Sequence, residues 1–112
     1  MQKIERDIKV VARSVIQGNE KRKKRIKTGH ASAFDIAAAK AIEDALEQMW
    51  PNVEAKKIRQ QMQNKLYKSI VYSEPYEYLV DGNLLCGRRQ FYEARMEFIV
   101  DVATRLDMMP DE

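Results

Sequence analysis

The chemistry available to this chain is mostly cationic. Glu20-Lys21-Arg22-Lys23-Lys24-Arg25-Ile26-Lys27 holds six Lys or Arg in eight positions. If that stretch is helical, its cations surround the axis. They would gather phosphates without reading sequence, and binding would fall steeply with salt. Lys21, Arg22, Lys23, Lys24, Arg25 and Lys27 are the expected phosphate contacts, joined by Lys56 and Lys57 further along. The competing reading is a solvated helix end whose charges only keep the protein soluble.

A second feature lies in Leu84-Leu85-Cys86-Gly87-Arg88-Arg89-Gln90-Phe91-Tyr92-Glu93-Ala94-Arg95. A short helix and a turn precede a helix that starts with two Arg and a Gln. Arg pairs with guanine and Gln with adenine through bidentate hydrogen bonds in the major groove. A helix-turn-helix presents the first turns of its second helix to those bases. Arg88, Arg89 and Gln90 stand where such a reader would place them, with Tyr92 and Arg95 following on the same side or touching phosphate. Against this, residues 74–112 carry nine acids and four Arg, a net −5. Leu85 also falls where Gly is usual in such a turn, and Asp81 where a small residue is usual. A plain helical packing element remains the alternative.

Catalytic constellations are nearly missing. One His (His30) and one Cys (Cys86) allow neither an intramolecular disulfide nor a Cys/His zinc set. Cys86 sits in an apolar stretch and reads as a small hydrophobe. Glu43 and Glu47, at i and i+4, read as the solvated side of a helix. No Gly-rich phosphate loop occurs. The expectation is a protein that is not an enzyme and uses no cofactor or metal.

The elements that must position these residues follow from patterning. The chain has 112 residues, 45% hydrophobic and 33% charged, with only four Gly and three Pro. Length predicts a single domain, and scarce turn chemistry argues against an all-β fold. Ile4, Ile8, Val11, Val15 and Ile16 mark one face of a first helix. Gly18, Arg22 and Ile26 continue the spacing, so the favoured reading is one basic helix over 1–27. Ser32 and Asp35 resemble a capping box that opens the next helix. Its stripe is Phe34, Ala37, Ala38, Ala41, Ile42, Ala45, Leu46 and Met49. Pro51 predicts a new helix beginning nearby, with Val53, Ile58, Met62, Leu66 and Ile70 inside, and these two form a helical hairpin over 32–72. A helix-turn-helix-like unit over 74–107 follows. It comprises a short helix at 76–80, a turn at Asp81-Gly82-Asn83, and a last helix from Arg88 to Asp107 with Phe91, Ala94, Phe98, Val102 and Leu106 inward. The fold class is therefore all-α, a bundle of about five helices with a helix-turn-helix-like C-terminal unit.

The +3 net charge is unevenly spread: residues 1–30 hold +7, 31–50 hold −3, 51–73 hold +4 and 74–112 hold −5. The first and third predicted helices are thus the expected source of affinity for a polyanion. No apolar run approaches a membrane span and no signal-peptide core is present, so a cytoplasmic protein without membrane contact is expected.

Cys86-Gly87-Arg88-Arg89-Gln90-Phe91-Tyr92-Glu93-Ala94-Arg95-Met96-Glu97-Phe98 resembles the C-terminal segment of phage-encoded late-transcription regulators of the ArpU/RinA type. The stretch from Val15 to Ile26 is similar to the N-terminal helix of such small phage proteins. The resemblance implies a helix-turn-helix akin to region 4 of sigma factors, with double-stranded DNA and RNA polymerase as partners. It puts Arg88, Arg89, Gln90 and Tyr92 at the DNA, and Phe91 and Phe98 in the core. The alternative is an oligomeric phage packaging or adaptor protein, similar to a small terminase subunit. Its first helix would pair with another chain through Ile4, Ile8, Val11 and Val15.

Overall fold

The computed structural model describes residues 6–76 and 87–107. Among them are five α-helices and no strand: α1 (Arg6–Gln17), α2 (Asn19–Lys27), α3 (Ala33–Glu47), α4 (Lys56–Val71) and α5 (Arg88–Arg105). The all-α expectation holds. The short helix predicted at 76–80, its turn and Cys86 fall almost wholly outside the described residues.

The long first helix is two helices. Gly18 keeps near-helical angles, φ −81° and ψ 1°, and its N–H still bonds the Ser14 carbonyl at 3.0 Å. The Val15 carbonyl, one residue on, instead accepts from Arg22 Nη1 at 2.8 Å. A side chain inserted into the helical ladder is a recognised cause of a kink, and it accounts for the break here. In α1, Ala12 and Ile16 are fully buried, with Ile8 and Val15 packed beside them. Val11 was expected inside and is 50% exposed. It lies about 100° around the helix from Ala12, on which the buried face is centred.

The end of α2 is built by Gly29. Its φ of +78° suits the left-handed position after a helix. His30 N–H bonds the Arg25 carbonyl at 2.8 Å and Gly29 N–H bonds the Ile26 carbonyl at 3.2 Å, which is the Schellman pattern. The next helix starts on the predicted capping box: Asp35 N–H donates to Ser32 Oγ at 3.1 Å and Ser32 N–H to Asp35 Oδ2 at 3.0 Å. Along α3, Ala38, Ala41, Ile42 and Ala45 are buried as expected. Phe34 is 52% exposed and Ala37 is exposed, because the capping box turns Asp35 inward and sets the register from there.

Pro51 does not open a helix. It occupies the second position of a turn closed by Val53 N–H to the Trp50 carbonyl at 3.2 Å, a position whose fixed φ suits proline. Trp50 takes a positive φ of 53°, and α4 starts only at Lys56. The carbonyls left open at the end of α3 find donors on α4. Arg59 bonds Glu47 O at 2.7 Å and Met49 O at 3.1 Å, and Gln63 Nε2 bonds Met49 O at 3.1 Å. These bonds fasten α3 to α4 and meet the requirement that buried carbonyls be paired.

The hub is α5, which packs against α1, α3 and α4. Phe91, Phe98, Ile99 and Val102 are fully buried there, facing Ile16, Ile42, Met62, Leu66 and Ile70. Ala94 and Ala103 keep the facing helices close. Burial of such side chains stabilises by about 1.5–3 kcal/mol each, so this contiguous cluster is the main favourable term holding the bundle.

Candidate nucleic-acid interface

Helix α2 carries the densest charge, and the fold divides that charge between two faces. Arg22 turns inward and is only 5% exposed. Its guanidinium donates to Val15 O and, at 3.2 Å, to Asn19 Oδ1. Its Nε lies 3.6 Å from Asp35 Oδ1, and its carbon stands 6.0 Å from the centre of the Phe34 ring. Arg25 grips the same carboxylate with a two-point fork: Nη2 to Oδ1 at 2.7 Å and Nε to Oδ2 at 3.0 Å. That fork, helped by the Ser32 backbone N–H, holds Asp35 well below the usual carboxylate range. Two of the six predicted phosphate-contact cations on α2 therefore tie α2 to α3.

A second polar cluster ties α2 to α4. Tyr67 donates its hydroxyl to Glu20 and accepts from Asn19 Nδ2 at 3.0 Å. Burial, reinforced by the neighbouring carboxylate, pushes the Tyr67 phenol well above its ordinary range, while its hydrogen bond keeps Glu20 ionised to lower pH. Lys23 caps this cluster from outside, 3.3 Å from Glu20 Oε2 and 5.0 Å from the centre of the Tyr67 ring. Neither Asn19 nor Tyr67 was singled out from sequence.

The other α2 cations face outward. Lys21, Lys24 and Lys27 are exposed, and among the described residues none of them meets a carboxylate. Lys23 and Lys27 stand on one wall of a groove of about 740 Å³ between α2, α3 and α4, with Lys68 on the opposite wall. Ile42, Leu46, Tyr67 and Tyr72 line its floor and sides, and Glu20 and Glu43 contribute two acids. Lys56 and Lys57 are exposed at the N-terminus of α4. The helix dipole disfavours cations there, so helix stability does not explain their position.

The start of α5 is arranged differently. Gln90 Oε1 accepts from Gly87 N–H at 3.2 Å and so caps its own helix. Arg89 is almost fully exposed and lies 3.2 Å from Glu93 one turn on. Arg88 and Arg95 sit over the Tyr92 ring, 5.0 and 5.3 Å from its centre. The Tyr92 hydroxyl accepts from Tyr76 N–H at 3.2 Å. The structure thus gathers Arg88, Tyr92 and Arg95 into one cluster. Arg89 faces solvent, and Gln90 is held in the cap.

Of the residues read as a pairing seam, Ile8 and Val15 pack on the core and Val11 faces outward, while Ile4 lies outside the described residues. Among the described residues there is no group of His, Cys, Asp or Glu able to hold a metal, and no helix long and apolar enough to cross a membrane. The site and bundle define the class only as a basic-faced all-α protein. Comparison with protein-family models, curated proteins and solved structures finds no match.

Proposed function

We propose that this chain is a double-stranded DNA-binding protein, a transcriptional regulator of the phage type with a sigma region 4-like C-terminal unit. The observation that carries the reading is the division of labour on α2. Arg22 and Arg25 satisfy Asp35 and the backbone, while Lys21, Lys24 and Lys27 are exposed and meet no carboxylate among the described residues. Lysines placed this way act as point charges on phosphates, supplying affinity without sequence preference. Lys23 and Lys68 extend the basic surface across the groove, and Lys56 and Lys57 add a further basic edge on α4. Sequence preference then falls to Arg88 and Arg89 at the start of α5, with Tyr92 and Arg95 behind them. RNA polymerase is the proposed protein partner, and the cytoplasm the proposed compartment.

The test is a fluorescence-anisotropy titration with duplexes selected from a random pool and with scrambled duplexes. Wild-type protein is expected to prefer the selected sequence. Arg88→Ala is expected to relax that preference by about 1–3 kcal/mol at one base pair, leaving affinity for scrambled duplex nearly unchanged. Failure to bind any duplex at low salt would defeat the reading. A defined higher oligomer by light scattering, without DNA binding, would instead favour an adaptor or packaging role.

A further inference from the structure

The groove between α2, α3 and α4 combines an apolar floor with a charged rim. The residues lining it recur at three- and four-residue spacing on each helix, so each helix offers one face to it. Helix α3 packs against both α2 and α4, and its Ala39, Ile42 and Leu46 form the floor. At one end Tyr67 joins α4 to α2 through Asn19 and Glu20. The lips are open: Ile26 is 38% exposed and Tyr72 58%. Lys27 and Lys68 are exposed on facing walls, and among the described residues neither meets a carboxylate. Glu43, exposed on the α3 side, likewise meets no cation among the described residues. The α2 wall is nine residues long, about 13 Å at the helical rise.

We propose that this groove docks an amphipathic helix of a partner protein, with its apolar stripe on Ala39, Ile42 and Leu46 and its acidic side chains against Lys27 and Lys68. Helix-in-groove recognition uses apolar anchors at i, i+3, i+4 and i+7. Such a stripe spans about 10.5 Å, which the α2 wall accommodates. Docking takes the exposed apolar surface of Ile26 and Tyr72 out of water, and the rim lysines select the sign of the incoming charge. Glu43 gives the site polarity: acids belong opposite Lys27 and Lys68, and a Lys or Arg opposite Glu43. A nucleic-acid strand fits less well, because its phosphates gain nothing from the apolar floor and would meet Glu20 and Glu43. The docking shares Lys27 and Lys68 with the DNA-binding reading and does not rest on it.

The experiment is an NMR titration of the full, isotope-labelled chain with a synthetic helical peptide of about fourteen residues, long enough to span the groove. The peptide carries Leu at i, i+3, i+4 and i+7, Glu along one flank and a single Lys on the other. A control peptide has every Glu changed to Lys and the Lys to Glu. The acidic peptide is expected to shift the amide signals of Ala39, Ile42, Leu46 and Tyr72 saturably, and the control to bind about tenfold more weakly. Lys27→Glu combined with Lys68→Glu, both at exposed positions, should weaken the acidic peptide by about tenfold and strengthen the control, with the melting midpoint unchanged. Tyr72→Ser should weaken both peptides, since it removes apolar contact and no charge. No saturable shift with the acidic peptide up to about 1 mM, shifts centred outside the groove, or equal affinity for the two peptides overturns the proposal. Affinities unmoved by the double lysine variant overturn the assignment of the rim. Duplex DNA that shifts these same amides while the acidic peptide shifts none assigns the groove to nucleic acid and overturns the proposal as well.

Discussion

Truncating Arg22 separates the structural reading of the basic cluster from the purely surface one. Arg22→Ala removes the donor to Val15 O at 2.8 Å and the donor to Asn19 Oδ1 at 3.2 Å. A hydrogen bond from a charged donor is worth about 1.5–3 kcal/mol. Two such bonds at the lower end give a loss of about 3 kcal/mol. The side chain is only 7% exposed, so solvent does not screen this away. Asp35 adds little further loss, because Arg25 still holds it with both nitrogens. Against a total stability of about 5–15 kcal/mol the change is large, and for a chain of this size it lowers the melting midpoint by about 12 °C or more. Urea unfolding followed by circular dichroism measures it. Arg22→Lys should also fall well short of wild type, since an ammonium keeps the charge and loses the fork. If Arg22→Ala loses less than about 1 kcal/mol of stability while weakening DNA binding, Arg22 is a surface phosphate contact and the inward assignment is wrong.

Two further outcomes follow from the same region. Gly18→Ala should be neutral or stabilising by up to about 1 kcal/mol, because φ is negative and an added Cβ finds only ordinary contacts, the nearest 3.5 Å away at Ser14 O. A loss of stability on denaturant unfolding would mean that glycine, and not the inserted Arg22, makes the break. Asp35 has a folded-state pKa depressed by Arg25 and Ser32, so it contributes stability above its unfolded pKa and loses that contribution as pH falls through the folded one. Wild-type stability should therefore decline below about pH 4, and Asp35→Asn should flatten that part of the profile. Parallel acid profiles for the two proteins would contradict the role given to this carboxylate.

Much of the fold was legible because local signals agreed with burial. The Ser32–Asp35 box, the Met62, Leu66 and Ile70 face, and the Phe91, Ala94, Phe98 and Val102 face all occur where the pattern put them. What was not legible depends on partners distant in sequence. Pro51 reads as a helix start, yet the end of α3 is closed by Arg59 and Gln63 from the next helix, so α4 begins only at Lys56. The candidate site divides in the same way. Arg22 continues the apolar spacing of the first helix, and that register was the available sign that it points inward. Nothing local distinguished Gln90 as a cap from Gln90 as a base reader. The Asn19–Tyr67–Glu20 cluster joins residues nearly fifty positions apart, which no window along the chain brings together.

The outward lysines of α2 carry the proposed DNA affinity, and the salt dependence of duplex binding tests them. With Lys21, Lys24 and Lys27 changed together to Gln, all three being exposed, the protein should keep its wild-type melting midpoint. The slope of log affinity against log salt should become shallower by about 0.9 for each phosphate contact removed, about 2.7 in all if every lysine engages one. An unchanged slope and affinity in a fully folded variant would contradict the account.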